Sequence, residues 1–161
     1  MEQFIAFAEA VQASRFGVWA AGSAIAYPLA NTLHLLGLVM LVGGIGVVDL
    51  RVAGLFPRLP VKPLADALTP IAVAGLLLMA ASGAVMFAAD AVSLAGSPTF
   101  RWKLGLLAAA LVNAIAFRSM FNGRIASWDR VSIPGSARIM ALVSIALWLL
   151  VGMQGRLIAY S

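Results

Sequence analysis

The chemistry available to this chain centres on its single histidine, His34, which lies inside a long apolar run. No formally charged residue occurs between Arg15 and Asp49. A run of that length is typical of a membrane-spanning helix, which needs only about 20 apolar residues. An ionisable side chain within such a helix usually faces the interior of a bundle and marks a function. His34 is therefore the main candidate for a functional residue.

Three methionines are predicted to reach the depth of His34 from neighbouring helices. At about 1.5 Å per residue, His34 lies about 9 Å below the outer end of its helix. Counted the same way on antiparallel helices, Met86, Met79 and Met153 lie about 5, 15 and 8 Å below that end. Imidazole with thioether ligands suits Cu(I), and a His/Met pair also suits haem iron. The spacing thus predicts a cofactor site that holds haem b or copper, with His34 as the metal ligand.

Basic residues are predicted at the mouth of the same site. Arg101, Lys103 and Arg156 belong to the same side of the bundle, where they are placed to meet haem propionates. A second interpretation stays open, in which His34 only hydrogen-bonds across helices and the methionines are ordinary packing residues. Partners for that hydrogen bond are available in Asn31, Thr32, Ser82 and Gln154.

The elements that must position these residues are membrane helices. The chain has 161 residues, 63% of them hydrophobic and 11% charged, against about 25% charged in a soluble domain. We expect an all-α, polytopic membrane protein, a single domain over residues 1–161, with four transmembrane helices in an antiparallel bundle. An interfacial helix is expected over residues 2–14, and the spans over residues 28–48, 67–89, 100–121 and 137–158.

The third span has the shortest uncharged stretch, from Leu104 to Phe117. At about 21 Å this stretch does not cross the hydrocarbon of a bilayer alone. Lys103 and Arg118 flank it, and we expect their charges to point towards opposite membrane surfaces along apolar stems. Asn113, near the middle of this span, is predicted to hold helices together by a hydrogen bond rather than to contact a ligand.

Small residues mark the faces on which the spans are predicted to pack. In the first span a stripe of Ala30, His34, Gly37, Leu41 and Gly44 should face the interior, and in the second Gly75, Met79 and Gly83. In the fourth span the corresponding residues are Ser144, Trp148, Gly152 and Gly155.

Asp49 lies at the inner, C-terminal end of the first span, where the helix dipole disfavours a carboxylate. We therefore expect a structural ion pair between Asp49 and an arginine, which could be Arg51, Arg118 or Arg124, rather than a proton site.

Charge distribution predicts the orientation of the chain. Seven of the eleven basic residues lie in or beside the loops that follow the first and third spans. These loops are therefore expected in the cytoplasm, with both termini in the periplasm of a bacterial inner membrane. The acidic start of the chain does not resemble a signal peptide. Although the net charge is +5, the basic residues form no stripe with aromatics, so no nucleic-acid partner is expected.

The sequence contains none of the common catalytic motifs. It has no cysteine and no hydrolase, kinase, P-loop or zincin pattern. One histidine and few acids leave little for general acid–base catalysis, so we expect a protein that is not an enzyme. No paired discontinuous helices occur in matching halves, which weakens a transporter interpretation.

Two segments carry a resemblance to a known family. They are YPLANTLHLLGLVMLVGGIGVVDLRVAGL, from Tyr27, and SPTFRWKLGLLAAALVNAIAF, from Ser97. With its aromatic–Pro entry, H-x-x-G, D-L-R and F-x-x-K, the chain resembles a family of small four-helix bacterial inner-membrane proteins. It is distantly similar to the membrane part of copper-resistance protein D. That resemblance implies a histidine in the outer half of a helix, here His34, and a periplasmic copper or redox partner.

The sequence as a whole favours a non-catalytic membrane subunit. Its expected surroundings are the lipid bilayer, a periplasmic redox or copper-handling protein and, as a further option, a second copy of the chain. Two alternatives remain, a structural scaffold without a cofactor and a small solute transporter.

Overall fold

The structure is a computed structural model, and it describes residues 2–158. Every regular element in that range is helical. The α-helices are α1 (Glu2–Ala13), α2 (Arg15–Gly22), α3 (Ala26–Ala53), α4 (Val61–Ala89), α5 (Ala91–Gly96), α6 (Pro98–Phe121) and α7 (Gly135–Leu157). A 3₁₀ turn, Ile125–Ser127, lies between α6 and α7.

Four of these helices, α3, α4, α6 and α7, are long and apolar enough to cross a membrane. They contain 28, 29, 24 and 23 residues, and about 20 suffice to cover the hydrocarbon. The predicted fold class, an all-α bundle with four membrane-spanning helices, is confirmed. The protein is therefore an integral, multi-pass membrane protein whose exposed apolar side chains face lipid.

The helices run alternately up and down, which gives the bundle two different ends. The loop end holds the connections 54–60 and 122–134, and the terminal end holds α1, α2, α5 and the last turn of α7. Helix α3 packs along α4 on one side and α7 on the other, and α6 packs on α7. This arrangement leaves α4 and α6 to meet mainly through their side chains.

Helices α3 and α4 both extend further towards the loop end than expected. Helix α3 continues past residue 48 to Ala53, where Gly54 ends it with a left-handed φ of 117°, a conformation that glycine adopts without strain. Helix α4 begins at Val61, six residues before the expected start, because the Asp129 carboxylate accepts a 2.6 Å hydrogen bond from the Val61 N–H. Pro70 therefore lies inside α4 and not in its first turn.

Two apolar clusters fill the bundle from the loop end to its middle. At the loop end Phe121 and Trp128 pack against Val48 and Val52, and Ala137 and Ala141 of α7 close this cluster. The central cluster is built from Leu41, Ala72, Met79, Ala110 and Trp148, which come from all four spanning helices. This central cluster separates the two ends of the bundle with apolar side chains.

The closest helix pair is α3 with α4, and glycines set its distance. A Cβ added to Gly37 would lie 2.7 Å from the Gly75 carbonyl oxygen, and one added to Gly75 would lie 2.6 Å from the Gly37 carbonyl oxygen. Only glycine allows the two backbones to approach this closely. The predicted stripe on the first span is thus confirmed, with Gly37, Leu41 and Gly44 buried.

The terminal end is covered by short helices. Ala8 of α1 packs against Ala91 and Ala95 of α5, and the Gln12 side chain accepts a 2.9 Å hydrogen bond from the Val92 N–H. Helix α1 ends one residue before the expected Ser14, whose hydroxyl instead caps a second helix, α2, by accepting from Gly17. That second helix was not predicted, because its residues are small and weakly apolar.

Candidate ligand cavity

A cavity of about 920 Å³ lies between the spanning helices at the terminal end. Its walls come from the start of α3, the end of α4, α5, the start of α6 and the end of α7. Cavities of about 300–1,000 Å³ are the size that ordinarily holds small molecules and cofactors. Since most of the lining is apolar, a few polar groups would determine what binds here.

His34 reaches this cavity from α3. Its imidazole lies against the backbone of Gly83 in α4, where an added Cβ would be 3.3 Å from the ring Cε1. The ring nitrogen Nδ1 is 3.1 Å from the Ser82 hydroxyl oxygen. Gly83 therefore provides the space for the ring, and Ser82 fixes its orientation.

The partners of Ser82 assign the tautomer of His34. The Ser82 hydroxyl donates its hydrogen to the Leu78 carbonyl oxygen at 2.6 Å, so towards His34 it can only accept. We therefore assign the ring proton to Nδ1 of His34. The other nitrogen, Nε2, then holds the lone pair of the ring, and the backbone carbonyl of Met79 also lies within hydrogen-bonding reach of the imidazole.

Lys103 enters the same cavity from α6. A Cβ added to Gly155 of α7 would lie 3.3 Å from the Lys103 ammonium nitrogen. The side chain forms no ion pair with an acidic residue in the described part of the chain. The glycines of α7 leave room for the stem of Lys103 inside the bundle, and Gly155 lies in the last turn of α7, at the terminal end. That Lys103 directs its charge towards the membrane surface at this end stays a prediction. Arg118, at the other end of α6, does lie on the loop-end side, in a groove beside α4.

The structure brings five of the seven predicted site residues together. The cavity is lined by His34, Met79, Met86, Lys103 and Arg156, whereas Arg101 and Met153 lie outside its lining. Met153 is 52% exposed on the outside of α7. The prediction used depth along each helix, and it did not use rotation about the helix axis. Successive residues turn by about 100°, so Met153 points away from the side on which Gly152 faces the cavity.

Several lining residues were not predicted. Phe87 of α4 and Phe100 of α6 stack with ring centroids 5.7 Å apart and both line the cavity. Tyr27 and Asp90 add polar groups at its edge. The aromatic positions at the ends of the spans were the available signal, although such residues are also common at membrane interfaces.

Donor groups of several kinds line the cavity. Across residues 2–158 no three His, Cys, Asp or Glu side chains come together in a group that could hold a metal ion. The cavity offers one imidazole, two thioethers, an ammonium group, a guanidinium group and the Asp90 carboxylate. An imidazole nitrogen with a free lone pair and its other N–H held by a hydrogen bond is the usual form of a metal-bound histidine.

The polar residues deeper in the bundle have other partners than those expected. Asn113 donates a 3.1 Å hydrogen bond to the Met140 carbonyl oxygen of α7, which confirms that it holds helices together. The predicted ion pair of Asp49 with an arginine is wrong. Arg51 instead donates to the loop carbonyls of Leu59 and Pro57, because two residues of helix turn it about 200° away from Asp49.

Comparison with known proteins adds no assignment. No protein-family model, curated protein or solved structure matches the chain.

Proposed function

We propose that this integral membrane protein binds haem in its terminal-end cavity, where His34 would hold the iron. The observation that carries the proposal is the position of His34, whose Nδ1 lies 3.1 Å from the Ser82 hydroxyl oxygen and whose side chain lines a cavity of about 920 Å³. A histidine that only joined two helices would need no cavity of this size beside it. When bound, haem would supply electron-transfer or redox chemistry.

The other residues of the cavity favour haem, a macrocycle that carries acidic propionate groups, rather than a bare copper ion. Lys103 lines the cavity without an acidic partner in the described residues, so an ammonium group is available for a propionate. The same positive charge would repel Cu(I). The side chains of Met79 and Met86 line the cavity, where they would provide an apolar, polarisable surface for the macrocycle. A methionine thioether can also bind haem iron.

The proposed setting is the bacterial inner membrane, with both termini and the cavity on the periplasmic side. The excess of basic residues at the loop end supports this orientation, since such loops stay in the cytoplasm. The cavity would then face a periplasmic redox partner, the partner class that the resemblance to copper-resistance protein D also favours. We assign the chain the role of a non-catalytic subunit.

The absorption spectrum of the purified protein, with and without added haemin, tests the proposal. The wild type should show a Soret band at one haem per chain, and His34→Ala should lose the band while still inserting and folding. His34→Gln keeps a hydrogen-bonding side chain, so a structural role of His34 predicts no effect of this change. Arg118→Gln, outside the cavity, is the control.

Two results would contradict haem binding. Stoichiometric copper without a Soret band would favour metal handling. No ligand in the wild type, together with a fully active His34→Gln variant in cells, would leave His34 as an interhelical hydrogen-bonding residue of a scaffold.

A further inference from the structure

We propose that Asp49 of α3 and Ser144 of α7 form a proton-binding site in the loop half of the bundle. The site is distinct from the cavity, because Asp49 follows His34 by 15 residues, about 22 Å along the same helix. The central apolar cluster lies between them. The proposal therefore does not depend on haem binding at His34.

The first observation is the burial of an acid with an unused oxygen. Asp49 is 6% exposed, and its Oδ2 is buried with no hydrogen-bond partner in the described chain. Its polar neighbour is the hydroxyl of Ser144, which is within hydrogen-bonding reach of the carboxyl group and is itself 6% exposed. A hydroxyl can both donate and accept a hydrogen bond, so Ser144 suits a carboxyl group in either protonation state.

The second observation is that no positive charge compensates this carboxyl group. On its own helix, Arg51 is engaged by the carbonyls of the connection 54–60. On α4, Lys62 pairs with Asp66. On α7, Arg138 is exposed, and on α6, Arg118 lines the outer groove beside α4. None of these basic side chains forms an ion pair with Asp49 in the described chain.

These two observations favour a proton over a metal ion. A buried carboxylate without a counter-charge is strongly destabilising, and a bound proton removes that charge. A hard metal cation requires about six oxygen ligands, whereas this site presents one carboxyl group and one hydroxyl group. Among the residues described, Asp49 belongs to no group of three or more His, Cys, Asp or Glu side chains that could hold a metal ion.

The site can be tested with dicyclohexylcarbodiimide, an apolar reagent that reacts with protonated carboxyl groups in membranes. The carboxyl oxygen bonds to the central carbon of the reagent, and the carboxyl proton moves to one of its nitrogens. The acyl group then shifts to a nitrogen and leaves a stable N-acylurea. No oxidant or further reactant is required.

We expect mass spectrometry of the purified full chain to find this adduct on the peptide that contains Asp49. Labelling should fall as the pH is raised, by about tenfold per pH unit once the carboxyl group ionises. Asp49→Asn should remove the adduct. Asp66, which is exposed and paired with Lys62, serves as an internal comparison and should remain unlabelled.

Infrared spectroscopy provides a second measurement that does not depend on access of the reagent. The wild type at neutral pH should show the carbonyl band of a buried carboxylic acid, and this band should be missing from Asp49→Asn. The proposal is overturned if Asp49 gives only carboxylate bands at neutral pH. It is also overturned if sodium chloride, but not choline chloride, protects Asp49 from labelling, because a metal ion would then occupy the site.

Discussion

At the scale of single residues, the contact between His34 and Ser82 determines what the imidazole can do. With the Ser82 hydroxyl donating to the Leu78 carbonyl oxygen, we assign the proton of His34 to Nδ1 and the lone pair to Nε2. Such outer partners typically contribute about 10- to 100-fold to metal affinity. The serine is therefore as much a part of the proposed site as the histidine.

Replacement of this serine tests its role. Ser82→Ala should weaken haem binding about 10- to 100-fold, because His34 then loses the partner that fixes its ring. Ser119→Ala is the matched control, since Ser119 is exposed and bonds only to the Ala116 carbonyl of its own helix. Titration of both variants with haemin, followed by absorbance, compares them. Equal affinity of the two variants would show that Ser82 does not orient His34.

A separate prediction concerns the positive charge of Lys103 and the acidic groups of the ligand. Lys103→Met keeps the length of the side chain and removes the ammonium group, so binding of haemin should weaken by roughly ten- to hundredfold, the value of a charge-assisted hydrogen bond. Haemin dimethyl ester, which lacks free propionates, should bind the variant and the wild type alike. If the ester is affected as strongly as the free acid, Lys103 contributes packing and not charge.

Residue types and spacing located the centre of the cavity but not all of its wall. His34 was found because it is the single ionisable residue of its span, and Met79 because it lies between Gly75 and Gly83 on one helical face. Met153 and Arg101 were assigned by depth alone, and helix rotation places them outside the lining. The neighbour of Asp49 could not be inferred, because it depends on how α7 is rotated against α3.

At the scale of elements, the pair α3–α4 is the most closely packed part of the bundle. Each glycine of the contact between Gly37 and Gly75 faces the backbone of the other helix. This contact lies one turn below His34 and holds the two helices that carry His34 and Ser82. The geometry of the proposed site therefore depends on these glycines.

A methyl group added at this contact should separate the two helices. Gly37→Ala places a Cβ 2.7 Å from the Gly75 carbonyl oxygen, and such overpacking typically costs about 1–3 kcal/mol. Gly46→Ala on the same helix is the matched control, because no atom lies within 4 Å of its added Cβ. There the better helix propensity of alanine should be neutral or stabilising by up to about 1 kcal/mol. Thermal unfolding in detergent measures both, and an equal effect would contradict the close contact.

The boundaries of the elements were harder to predict than their existence. Long apolar runs identified all four spanning helices, since within a single segment only a helix satisfies its own backbone hydrogen bonds in lipid. In the third span the run includes flanking basic residues. The early start of α4 depends on Asp129, which lies 68 residues further along the chain. A cap supplied from that distance leaves no local signal in the sequence.

At the scale of the whole molecule, the two ends of the bundle differ in chemistry. The terminal end contains the cavity with His34 and Lys103, and the loop end contains the buried Asp49 and most of the basic residues. The central cluster around Trp148 closes the interior between them. Ligand binding at one end and proton binding at the other are thus physically separate properties that can be measured independently.

The orientation of this asymmetric molecule can be determined by cysteine labelling, since the chain contains no cysteine of its own. Arg58→Cys reports on the first loop at the loop end, and Ser93→Cys reports on α5 at the terminal end, with both positions exposed. Basic loops remain in the cytoplasm. A membrane-impermeant maleimide added to intact spheroplasts should therefore label the Ser93→Cys variant and should reach the Arg58→Cys variant only after permeabilisation. The cysteine-free parent provides the background. Labelling of the Arg58→Cys variant from outside would show that the protein has the opposite orientation in the membrane. Its cavity would then open towards the cytoplasm, out of reach of any periplasmic redox partner.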